Sequence, residues 1–362
     1  MHISRTLIAS LAVASASAEP IKGKSYECHE FLVDISINST SIVLPVPPIA
    51  NEYQAVNYGQ SLLTPLKALP PPPQTAPLVK TFQISGDLCV PKKPGPKAGT
   101  LQILTHGLGY NRTYWDFYLP GSSDTSFSHV HAATAAGYSL PQAQILISLT
   151  QMAREGKIPG MKSPPKQIIN VGHSFGSQLT VGMAALAPDV SDAIVLTGIN
   201  GDTSAIASVL GTSWFRLANK FEPERFPKQT YSNGWLTWAT EAENQFSFFW
   251  FPNFKPEVLA TAEAVKHPFT LGEIFGGGLL PQQAPAFKKP VLYLASEHDA
   301  VCRFDCSSDF DADGPAYARF NGTDDIEVFM VPGAGHALPL HTNITVGYEA
   351  LDAWIQKRFP SK

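Results

Sequence analysis

Residues 168–176 constrain this chain more than any other stretch. Ile168 to Val171 is a short, mostly apolar run that passes directly into Gly172-His173-Ser174-Phe175-Gly176, and Ser177 to Leu186 then reads as a helix. Strand, tight turn and helix is the setting in which a G-x-S-x-G sequence lifts a serine to the top of a sheet. The glycines are needed because helix and strand approach closely around the turn. A serine hydroxyl is a poor nucleophile at neutral pH. It needs a base to take its proton and donors to hold the developing oxyanion.

Partners follow in the chain order that this motif requires, serine, then acid, then histidine. Asp299 lies just past the apolar run Val291 to Ala295, in Ser296-Glu297-His298-Asp299. His336 lies past the run Glu327 to Val331, in Gly333-Ala334-Gly335-His336. His336 is the expected general base and then general acid, and Asp299 the group that orients the imidazole and stabilises its cation. Glu297 and Asp305 are rival acids, and the position at the strand end favours Asp299. His341 is the rival base, and the small-residue turn favours His336. His173 and His298 read as flanking polar residues. His106-Gly107-Leu108-Gly109 follows the run Leu101 to Thr105. The backbone N–H groups of Leu108 and Phe175 are the expected oxyanion donors.

The rest of the chain reads as alternating strands and helices, hence a parallel sheet covered on both faces. Phe31, Val33, Ile35 and Ile37 alternate as an early strand, and Thr81 to Val90 is a second. Residues 40–79 are Pro-rich, with Pro70 to Pro73 consecutive, and read as an irregular segment. A helix capped by Ser126 runs to Gly137, and another spans 141–155. Ala193 to Thr197 is a further buried strand, and Tyr348 to Arg358 closes the chain as an amphipathic helix. Residues 19–201 and 286–362 form the expected core. Between them, 202–285 is an aromatic-rich insertion, expected as a helical cap in which some rings line an apolar substrate cavity. With 44% hydrophobic and 15% charged residues the chain has material for a core, and a net charge of −4 excludes a strongly basic nucleic-acid binder. No run of about 18 apolar residues reads as a membrane span.

The first 18 residues read as a secretion signal: His2 and Arg5, an apolar stretch from Leu7 to Ala14, then Ala16-Ser17-Ala18 as a small-residue cleavage site. A secreted, extracellular protein is expected. Four cysteines, Cys28, Cys89, Cys302 and Cys306, allow three pairings. Nearness in sequence favours Cys302–Cys306, which leaves Cys28–Cys89. No histidines sit at the spacing of a zinc finger, and no metal is expected. Asn38, Asn111, Asn321 and Asn343 open N-x-S/T sequons, the acceptor pattern of a glycoprotein.

Taken together, these motifs resemble the α/β-hydrolase fold superfamily in its capped, esterase-like branch. The sequence is most similar to secreted fungal members in Leu88-Cys89-Val90-Pro91, Gln102-Ile103-Leu104-Thr105-His106-Gly107 and Tyr114-Trp115-Asp116. The resemblance spans roughly residues 26–360. It implies a serine hydrolase of carboxylic esters or related acyl bonds, working through an acyl-enzyme on a small, apolar acyl substrate, without metal or organic cofactor. Peptidase or acyltransferase chemistry could run on the same residues. One departure stands out: only Ser139 and Leu140 separate the two helices where the family has its fourth core strand. In the family that strand lies between the second and third. Its loss leaves the third, fifth, sixth, seventh and eighth contiguous, and exposes an apolar edge on the third. A skipped coding segment, a second strand re-paired against the third, or a catalytically impaired, ligand-binding relative would each explain it. A chain lacking the strand is expected to be less stable than a relative that has it.

Overall fold

The computed structural model describes residues 25–42, 48–54, 56–57, 75–93, 95, 97, 99–135, 146–200, 209, 211–270, 273–274, 280–311 and 314–360. The expected secretion signal therefore lies outside the described residues, as do Pro70 to Pro73 and the junction at 136–145.

Two long strands, β1 (Tyr26–Ile42) and β2 (Thr75–Pro91), pair antiparallel as a hairpin of their own. Their alternation buries Phe31, Val33 and Ile35 while Leu32 faces solvent. The hairpin takes in both ends of the segment expected to be irregular: 40–42 belong to β1 and 75–79 to β2. Residues 52–54 are helical. Proline is tolerated at these strand ends because the two-stranded ribbon leaves outer edges where no ladder N–H is needed.

The central sheet has five parallel strands, β3 (Thr100–Thr105), β4 (Gln167–His173), β5 (Ala193–Thr197), β9 (Val291–Ser296) and β10 (Ile326–Val331). They lie in the order β10-β9-β5-β4-β3. Period-two side-chain alternation divides the core. Ala193, Val195, Leu292 and Leu294 enter one apolar cluster; Ile194, Leu196, Val291 and Tyr293 enter the other. Helices α1 (His129–Ala135), α2 (Leu146–Arg154), α3 (Phe175–Leu186) and the C-terminal helix Ile344–Arg358 cover the sheet. Helix α1 starts later than expected. The hydroxyl of Ser128, not Ser126, accepts from the His131 N–H at 2.8 Å, while Ser126 donates to Asp124.

Among the described residues β3 pairs only with β4, so the sheet ends where the family's fourth strand would add. The expectation that the second strand might re-pair with the third is overturned, because every register partner of β2 lies on β1. A hairpin of two adjacent strands with seventeen facing pairs leaves β2 no need of another neighbour.

The insert between β5 and β9 is not helical throughout. It holds a three-stranded antiparallel sheet of β6 (Arg216–Leu217), β7 (Trp235–Thr237) and β8 (Phe269–Thr270), beside α4 (Ala218–Phe221), α5 (Glu241–Phe248) and α6 (Pro256–Val265). Phe226, Trp238, Phe249 and Phe254 are buried, whereas Trp214 and Phe251 face solvent. The cysteines lie as two bonded pairs, Cys28–Cys89 and Cys302–Cys306, the first directly opposed in the hairpin register.

Candidate active site

Ser174 sits between β4 and α3 with φ 53° and ψ −118°, a backbone conformation that L-residues rarely adopt. Its neighbours force that turn. A Cβ on Gly172 would lie 2.5 Å from the Gly176 carbonyl oxygen, so only glycine lets α3 come this close to β4. The Ser174 N–H donates to the Thr197 carbonyl at 2.8 Å, and the Ser177 hydroxyl donates to the same oxygen at 2.8 Å. The strained turn is thus pinned to the end of β5.

Asp299 and His336 stand past the ends of β9 and β10, where parallel strands deliver their loops to one edge of the sheet. His336 Nε2 lies 2.9 Å from Ser174 Oγ, and Nδ1 lies 2.8 and 2.9 Å from the two Asp299 carboxylate oxygens. Both Asp299 and His336 are buried, whereas Ser174 is half-exposed. Asp299 Oδ1 also accepts from the Val301 N–H at 2.9 Å, which holds the carboxylate in place. In this geometry Nδ1–H donates to the carboxylate, and Nε2 is left to accept from the serine.

The rivals are engaged elsewhere. Glu297 accepts from the Gly333 N–H at 2.7 Å, and Asp305 accepts from the Ser307 hydroxyl at 2.7 Å, which holds its carboxyl below the usual range. His298 Nδ1–H donates to the Phe304 carbonyl at 2.9 Å. His341 is buried, with Nδ1–H donating to the Ala337 carbonyl and Nε2 accepting from two backbone amides. Burial lowers its pKa to about 4. His173 is also buried, bonded to the Thr197 hydroxyl at 2.9 Å and stacked on Tyr114 at 4.5 Å. Burial, and then the neighbouring His336 and His106, push its pKa well down, so it stays neutral.

The turn after β3 leans on the serine: a Cβ at Gly107 would come within 2.8 Å of the Ser174 Cβ. Leu108 is next in that turn, and Phe175 opens α3, where a first-turn amide has no carbonyl partner within its own helix. Both residues are half-buried. His106 donates from Nδ1 to the Gly107 carbonyl at 2.9 Å, and burial lowers its pKa. The Phe248 ring, half-buried at the end of α5, lies 5.6 Å from the His336 ring and 5.2 Å from that of Tyr110.

Sequence reasoning missed Thr197, Ser177 and the use made of His341. Thr197 left one signal, a polar residue ending an otherwise apolar strand, where sites on such sheets gather. The bonds made by His341 leave none, since both groups it accepts from are backbone.

A family model described as the alpha/beta hydrolase family matches residues 102–344. The chain belongs to that family. Among solved structures it is similar to the peroxisomal alpha/beta-hydrolase of Saccharomyces cerevisiae, with 10% identity over 91% of this chain and 89% of that one and a TM-score of 0.47. It is also similar to the esterase domain of a Rhodothermus marinus protein, with 14% identity, 76% and 93% coverage and a TM-score of 0.44. A third is the monoacylglycerol lipase of Paleococcus ferrophilus, with 13% identity, 73% and 96% coverage and a TM-score of 0.44. No curated protein matches the sequence.

Proposed function

We propose that this member of the alpha/beta hydrolase family is a secreted serine hydrolase that cleaves a carboxylic ester or related acyl bond. The observation that carries the reading is the unbroken line of hydrogen bonds from Asp299 through His336 to Ser174 Oγ. On this reading His336 takes the hydroxyl proton as Oγ attacks the acyl carbon. The N–H groups of Leu108 and Phe175 hold the oxyanion of the tetrahedral intermediate, and the latter adds the positive end of α3. His336 then gives the proton to the departing alcohol oxygen, leaving an acyl group on Ser174. Water, deprotonated by the same imidazole, attacks that acyl-enzyme and releases the acid. Asp299 stays ionised throughout and stabilises the imidazolium.

An apolar acyl group is supported by Leu108 and Phe248, both half-exposed beside these residues, and on this reading the insert serves as a cap. Secretion, and a place among secreted esterase-like relatives, is supported by the N-terminal pattern and by cysteines that all lie in pairs. A non-catalytic, ligand-binding role is the second reading. It draws on the sheet edge at β3, which among the described residues carries no further strand.

Intact mass before and after a fluorophosphonate probe, followed by peptide mapping, tests the choice. A single adduct on Ser174, lost in Ser174→Ala along with at least about a thousandfold of ester turnover, is the expected result. A folded chain that takes no adduct overturns the catalytic reading. A panel of esters, amides and acceptor alcohols separates esterase from peptidase and acyltransferase.

A further inference from the structure

We infer that His341 is the positioning residue that sets the base-bearing turn against the insert; the inference rests on the catalytic reading of His336. His341 is wholly buried, four residues past Ala337. Its Nδ1–H donates to the Ala337 carbonyl at 3.0 Å, which fixes the tautomer and leaves a lone pair on Nε2. That one lone pair meets two backbone donors, Gly335 N–H at 3.0 Å and Trp250 N–H at 3.1 Å. Gly335 precedes His336, and Trp250 lies in the insert just past α5. A single ring nitrogen therefore joins the two segments.

Other bonds run alongside but do not replace it. The Ala337 N–H donates to the Phe248 carbonyl at 2.7 Å, and the Thr342 N–H to the Asn253 carbonyl at 2.9 Å. A Cβ on Gly335 would stand 2.9 Å from the Trp250 nitrogen, so the two backbones meet as closely as glycine permits. Without an acceptor at Nε2, two buried amides lose their partner and the turn must shift to satisfy them. His336 shifts with it. The imidazole then sits off line for Ser174, and a misplacement of about 1 Å costs about a hundredfold in rate.

The experiment compares His341→Ala with His341→Gln, whose amide oxygen reaches toward the place of Nε2. Steady-state ester kinetics are read beside hydrogen exchange at the peptides carrying Trp250 and Gly335. For His341→Ala, kcat is expected to fall between about tenfold and a hundredfold with KM within about threefold. Exchange should rise at those two peptides and not in the central sheet. His341→Gln should restore most of both. Unchanged kcat in folded His341→Ala, or faster exchange everywhere alike, overturns the inference. Should the alanine variant fail to fold, a His341→Gln chain that exchanges at Trp250 and Gly335 as fast as an unstructured peptide overturns it too. If the wild-type chain turns over no ester and takes no probe, the catalytic reading fails separately, and the exchange result still decides what His341 holds.

Discussion

The central sheet and the insert are stabilised in opposite ways. The sheet is apolar on both faces and runs deep: Ile103, Ile168, Ile194 and Val291 on one face and Ile169 and Val195 on the other are fully buried. The insert has strands of two or three residues and packs around charge. Lys266, fully buried, meets Glu263 at 2.5 Å, Glu222 at 2.7 Å and the Trp238 carbonyl at 3.1 Å. Glu263 also accepts from Trp238 Nε1 at 2.7 Å and Asn244 Nδ2 at 2.8 Å. Arg225 ties down three carbonyls at the end of α6, those of Glu263, Ala264 and Lys266. Burial on a sheet face is divided among many contacts and tolerates local loss. A buried ion network is cooperative, and removing one member strands the others. The candidate site lies where these two kinds of structure meet, with Ser174 and Asp299 on strand ends and His336 tied to both.

The largest effect is expected where the sheet has no slack. In Gly172→Ala the new Cβ meets the Gly176 carbonyl and the Ser177 Cα, both at 2.5 Å and both backbone. A loss of about 3 kcal/mol or more should follow, with ester turnover lost together with stability. Denaturant unfolding measures it, and a midpoint unchanged from wild type would show that α3 can retreat from β4. Next comes the insert. Glu263→Ala leaves Trp238 Nε1 and Asn244 Nδ2 without their acceptor and Lys266 with Glu222 and the Trp238 carbonyl, at a cost of about 2–3 kcal/mol. Lys266→Met combined with Glu263→Gln keeps the acceptor and removes the buried charge, and most of the loss should return. If the double variant melts no higher than Glu263→Ala, the network is not what holds the insert.

Legibility in the sequence follows the same division. Strands β3, β4, β5, β9 and β10 are readable to within a residue or two because a strand of a covered parallel sheet is a mostly apolar run, and only β10, at the edge, is half-buried along most of its length. The hairpin is read too short, since its outer halves alternate with polar residues and reach into a Pro-rich stretch. The small sheet of the insert is not readable: Trp235 pairs with Thr270 across a long separation, and two-residue strands carry no periodicity. Ser174, Asp299 and His336 are legible from chain order and strand ends, and the fold brings them to hydrogen-bond distance. Thr197, Ser177 and His341 act on backbone groups, whose positions emerge only once distant elements have packed.

The smallest expected effect is on acid stability, and it separates the two regions again. Burial lowers the pKa of His341 to about 4, against the pull of the Ala337 carbonyl and the Asp299 charge. Burial also lowers that of His129, on the sheet side beside Gln102, to about 4. An unfolded histidine titrates near 6.5. The folded chain therefore holds both rings neutral where the unfolded chain binds protons. Their contribution to stability is complete above about pH 6.5 and is lost as pH falls from there toward 4. A decline of several degrees in melting temperature between pH 7 and pH 5 is the expected outcome. His341→Gln has no ring to protonate, so its decline should be shallower by the His341 share, with the His129 share intact. For the same reason, the protection of the Trp250 amide, taken relative to the intrinsic exchange rate at each pH, should no longer fall in acid. Equal slopes in the two proteins would take the acid sensitivity away from His341 and leave it to the other buried histidines, His129 and His173 among them. The junction between the insert and the base-bearing turn would then be no weaker in acid than the sheet it adjoins.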